Sequence, residues 1–99
     1  MTTTAYSLHF PPEYDAEEWI WTSKGYVVVE VEVESRPPAR YSLTVRDVTR
    51  LAQDVEAELA DSSVFSEPNA VVVRSVDRES IEGAVRWLAE RDFHGLVPT

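Results

Sequence analysis

The chain has 99 residues, nine basic and eighteen acidic side chains, a formal charge of −9 and no cysteine. A chain this short supports one core, so a single domain over residues 1–99 is expected, with 1–4 as a frayed polar tail. The missing cysteines remove disulfides, thiolate metal sites and cysteine nucleophiles, and no basic patch stands out to override a field that repels nucleic acid.

No stretch approaches the roughly 20 apolar residues of a membrane span, and the opening MTTTAYSLHF lacks both a basic region and an apolar run. A soluble cytoplasmic protein is expected. Tyr6, Leu8 and Phe10 alternate with Ser7 and His9, which predicts a short half-buried strand stopped by Pro11 and Pro12. Glu17 to Thr22 (EEWIWT), the turn Ser23-Lys24-Gly25 and Tyr26 to Glu34 then predict a hairpin, with Gly25 supplying the positive φ of a three-residue loop. That register turns Trp19 and Trp21 into the core with the valines.

Val27 to Glu34 reads VVVEVEVE, the clearest alternation in the chain: Val29, Val31 and Val33 on one side of a strand, Glu30, Glu32 and Glu34 on the other. After a turn from Ser35 to Ala39, Arg40 to Arg46 alternates with Tyr41, Leu43 and Val45 on its apolar side. Matching the apolar faces pairs Val33 with Tyr41, Val31 with Leu43 and Val29 with Val45, so that Glu34 meets Arg40, Glu32 meets Ser42 and Glu30 meets Thr44.

Asp47 is the expected N-cap of a helix from Val48 to about Asp61, with Val48, Leu51, Ala52, Val55 and Leu59 as its buried stripe. Beyond a loop marked by Ser62, Ser63, Ser66, Pro68 and Asn69, the apolar run Ala70 to Val76 predicts an interior strand. Asp77 caps a second helix, from Arg78 to about Phe93, that buries Ile81, Ala84, Val85 and Leu88, and Gly95 suits its stop. Trp87 falls about 100° from that stripe and is expected to be partly exposed. Gly83 within the helix costs about 1 kcal/mol relative to alanine and has no evident local purpose.

The fold expected is α+β, a mainly antiparallel five-stranded sheet with two helices on one face, in the order β-β-β-β-α-β-α. Its other face carries the glutamate row. Three carboxylates at alternate strand positions lie about 7 Å apart, too spread to chelate an ion unaided, and an open sheet lacks the pocket that separates paired carboxyl pKa values. No glycine-rich phosphate loop, nucleophile elbow or helical zinc motif is present, and His9 and His94 lack convergent partners; no catalytic residue, metal or cofactor is expected.

The plain account of such a face is solvation. The sharper one is non-catalytic protein binding, of an inhibitor, immunity or adaptor kind. Here Glu30, Glu32 and Glu34, extended by Asp54, Glu58 and Asp61, steer a basic protein partner, and Ile20, Tyr26 and Val28 supply an apolar centre. Asp54 and Glu58 form a like-charge pair four residues apart, a cost consistent with use of the field. Two other classes stand beside it: a small enzyme with a carboxylate and histidine pocket between sheet and helices, and a domain that self-associates through an edge strand.

Overall fold

The computed structural model describes residues 5–99, and the expected frayed tail at 1–4 lies outside them. The chain runs β1 (Tyr6–His9), α1 (Glu18–Lys24), β2 (Tyr26–Val33), β3 (Ala39–Arg46), α2 (Val48–Asp61), β4 (Ala70–Val72) and α3 (Arg78–Ala89). The α+β class holds, with four strands and three helices among the described residues in place of the expected five and two. Strand order is β1-β2-β3-β4, antiparallel except for the parallel pair β3 and β4, which α2 connects.

The missing strand is EEWIWT, which forms α1. Its helical signals are an acidic first turn at Glu18, Lys24 in the last turn and Gly25 at φ 69°, whose N–H donates to the carbonyls of Trp21 and Thr22. Gly25 thus has the positive φ expected of it but ends a helix instead of turning a hairpin. The aromatic residues favour a strand only weakly, and capping together with tertiary contacts decides otherwise. Thr22 donates to the Val76 carbonyl at 2.6 Å, and Glu18 accepts from the Arg78 backbone N–H at 2.8 Å, so α1 is fastened to the start of α3. Helical spacing also separates the two indoles: Trp21 packs against the core, whereas Trp19 is 71% exposed.

Val27, Val29, Val31 and Val33 are buried, joined by Leu43 and Val45 of β3, Val73 and Val76, Ile81, Val85 and Ala89 of α3, and Tyr14 and Phe93. The register is Val33 opposite Ala39, Val31 opposite Tyr41, Val29 opposite Leu43 and Val27 opposite Val45. This ladder sits two residues from the one expected, because Ala39, counted with the turn, faces the core and begins β3. A shift of two preserves every face but changes every polar pair. Arg40 therefore stands opposite Glu32, not Glu34, and Ser42 opposite Glu30.

The apolar run at 70–76 is not an interior strand. Only Ala70–Val72 pair, along the end of β3, and β4 forms an edge of the sheet. Val73 and Val76 instead turn into the core on the way to α3. Beyond β4 the C-terminal segment takes up β3: Thr99 N–H donates to the Arg40 carbonyl at 2.8 Å, and the Asn69 side chain joins the Ser42 carbonyl to both backbone groups of Val97.

The helices also divide differently from expectation. Both α1 and α3 lie on the valine face, but α2 stands on the opposite side, over the sheet end where Tyr26 and Arg46 are paired. Asp47 caps it as expected, accepting from the Arg50 N–H at 2.7 Å. No residue of α2 is buried; Val48 is 67% and Leu59 47% exposed, and the side turned toward the sheet is the one bearing Arg50 and Asp54. Of the expected apolar stripe, Leu51 and Val55 are half-buried beside Arg50 and Asp54, whereas Val48, Ala52 and Leu59 are exposed, because Arg46 draws the flank that carries Arg50 and Asp54 inward.

Candidate binding surface

Alternation along β2 and its neighbours builds one open polar face from the residues left over when the valines are buried. Glu30 and Glu32 are exposed on β2, and Ser7 and His9 of β1 and Arg40 and Ser42 of β3 flank them. Glu34 follows the strand, its N–H donating to the Ala5 carbonyl at 2.9 Å, and is likewise exposed. The three acids are not electrically equivalent. Glu32 accepts from Arg40 at 2.5 Å and stands 3.8 Å from His9 Nε2, while Glu30 and Glu34 make no ion pair among the described residues. The bond from Glu32, with the nearby charges of Glu32 and Glu30, raises the Arg40 guanidinium above its ordinary value. Toward the β2 to β3 turn lies a shallow hollow of about 600 Å³ lined by Glu32, Glu34, Arg36 and Arg40, so charge there is mixed.

The opposite end of this face is closed by a compact ionic cluster. Arg46 is 8% exposed, donates from Nε to Asp54 at 2.7 Å and from Nη1 to Glu67 at 2.5 Å, and lies over the rings of Tyr26 and Phe65. Arg50 donates to both oxygens of Asp54, at 3.0 and 3.1 Å, and to the Lys24 carbonyl, with its guanidinium 4.9 Å from the Tyr26 centroid. Burial alone would raise the Asp54 carboxyl, but the bonds from Arg46 and then Arg50 outweigh it and hold the group below the usual carboxylate range. Burial likewise opposes the charge on Arg46, and its two carboxylates more than restore it. This cluster pins α2 and the loop at 65–67 to the sheet.

The nine residues proposed from sequence therefore separate. Glu30, Glu32 and Glu34 share the open face, with half-buried Val28 beside them. Asp54 is neutralised by two arginines and Tyr26 is covered by them, so neither offers a free contact. Glu58 and Asp61 are exposed on α2, and Ile20 belongs to α1 on the valine side, away from the acids. Sequence reasoning missed Arg46 and Glu67. The accessible signal was Arg50 and Asp54 four residues apart, an attractive pair that offsets the repulsion assigned to Asp54 and Glu58.

His94 sits after α3, its N–H donating to the Arg91 carbonyl, far in sequence from His9 on β1. No group of three or more histidines and carboxylates among the described residues is placed to hold a metal ion. No helix there is long and apolar enough to cross a membrane. The chain matches no protein-family model, and comparison with curated proteins and with solved structures returns no significant match.

Proposed function

We propose that this protein is a non-catalytic binding domain, of an inhibitor, immunity or adaptor kind, that presents its acidic sheet face to a basic protein partner. The observation that carries this reading is the half of the sheet that α2 leaves uncovered, stopping over Tyr26 and Arg46, where Glu30 and Glu34 stand exposed without ion pairs among the described residues. A strand keeps such carboxylates in a fixed row, and neighbouring Ser7, Ser42 and Val28 give neutral and apolar ground between them. A net charge of −9 extends the field outward, where it raises the rate of encounter with a cationic surface.

Affinity capture from the source cells, washed in parallel at low and high salt, tests the proposal. A partner held through this face is released by salt and captured poorly by the double variant Glu30→Gln, Glu34→Gln. Retention of the same partner at high salt, or by the double variant, refutes the reading.

A further inference from the structure

A second surface lies at the edge of the sheet. Between β4 and α3 runs an open groove of about 550 Å³ with Val71, Ala84 and Leu88 along its apolar lining and Trp87, 54% exposed, on its wall. Among the described residues the backbone of β4 is paired on one side only. Asn69 accepts from the Thr44 N–H, and the Val73 N–H donates to the Arg46 carbonyl, so the odd-numbered positions face β3. The N–H and C=O of Ala70 and Val72 consequently point away from β3. Val72 is also 46% exposed.

Gly83 opens the helical wall of this groove. A Cβ built there meets nothing within 4 Å, so the glycine relieves no clash inside the protein, yet it leaves room beside the strand edge. Charge then selects the occupant. On a chain of net charge −9, the one charged residue lining the groove is Arg74, which makes no ion pair among the described residues. At the other end Arg91 donates to the Trp87 carbonyl, with its guanidinium 3.7 Å from the Trp87 ring centroid.

We propose that this groove is a strand-addition site for an extended segment of a partner protein, a short apolar run with a carboxylate at each end. The backbone of the segment pairs with Ala70 and Val72; on the side turned to α3 its middle apolar side chain enters beside Ala84 and Trp87, and the end carboxylates, two positions away on that same side, reach toward Arg74 and Arg91. Three paired residues on β4 give an edge about 10 Å long, enough for a short motif. This surface is separate from the acidic face and calls for a partner segment of opposite charge.

The test uses the whole isotope-labelled chain and a capped pentapeptide of three valines between two glutamates, followed by NMR. The expected result is saturable shifts at the Val72 amide and the Trp87 indole, with binding about fivefold weaker for the peptide in which lysine replaces glutamate. Val72→Pro removes an N–H that does not serve β3 and abolishes the shift at the Trp87 indole; Gly83→Leu, whose side chain enters empty space, abolishes it independently. No saturable shift at these two positions overturns the proposal, as does equal binding of the lysine peptide or undiminished binding by Gly83→Leu. Sedimentation showing that β4 already pairs with a second copy of the chain overturns it as well.

Discussion

Gly83→Ala separates a glycine kept for local geometry from one that only leaves space. Gly83 stands within α3, its φ is not in the left-handed region, and an added methyl group meets no atom within 4 Å. The substitution therefore gains the helix-propensity difference of about 0.8–1 kcal/mol with no offsetting clash, partly through reduced freedom of the unfolded chain. For a domain of this size, 1 kcal/mol at the midpoint corresponds to roughly 4–8 °C in melting temperature. Scanning calorimetry with a parallel urea titration reads both, and the urea midpoint should rise without a change in slope. Gly25→Ala is the control of opposite sign. Its Cβ would lie 2.6–2.8 Å from the Asp47 carboxylate, and its φ of +69° strains any other L-residue, so a loss above about 1 kcal/mol is expected. If Gly83→Ala lowers the melting temperature, or Gly25→Ala leaves it unchanged, the roles assigned to the two glycines are wrong.

Asp54→Ala removes bonds from both Arg46 and Arg50 while leaving Arg46 its bond to Glu67, so chemical denaturation should report a loss of about 1.5–3 kcal/mol. Val29→Ala, in the filled core, should cost about 2 kcal/mol, whereas Leu59→Ala on outward-facing α2 should cost well under 1 kcal/mol, and comparable losses would contradict the placement of that helix. The Asp77 carboxyl lies below its ordinary range because it accepts from the Ser80 backbone N–H, and Asp54 lies below for the reasons above. Both depressed groups contribute stability that is present above the unfolded value of about 3.9 and is lost as pH falls through the folded values. Asp54→Asn with Asp77→Asn should therefore flatten the acid limb of an unfolding profile. At the alkaline end, burial and then the nearby Glu18 push the Tyr14 hydroxyl up from 10.0 to about 12, so its contribution holds below 10.0 and fades toward 12; absorbance at the phenolate band should show one tyrosine ionising late.

Periodicity made much of this fold legible. VVVEVEVE declares its two faces without help, and Asp47 and Asp77 cap the two long helices where their side chains and the following apolar pattern imply. The parts that were not legible depend on long-range partners. EEWIWT becomes helical because Glu18 and Thr22 find backbone groups at 76–78, some 60 and 54 residues away, and no local window contains those groups. The side of the sheet taken by α2 is set by Arg46, whose burial follows from Asp54 and Glu67 arriving together. The register differs by two because Ala39, a small residue that local pattern does not separate from the preceding turn, opens β3 opposite Val33. In the candidate surface, the acid row survives that slip, since an even displacement keeps faces, but the identity of the neutralised glutamate does not.

The placement of α2 divides the molecule into two materials. Around Val29, Leu43 and Ile81 cohesion comes from oil, which sulfate-type salts reinforce, whereas the arm beyond Arg46 is moored by a few guanidinium bonds that dissolved ions weaken. Rising chloride concentration should accordingly slacken the moorings first, and amide exchange at Ala57, Glu58 and Leu59 should accelerate while that at Val29 and Val31 stays slow. A ligand arriving with its own cations would press on the same lever, so the arm is the part of this chain whose tightness its ionic surroundings can dial.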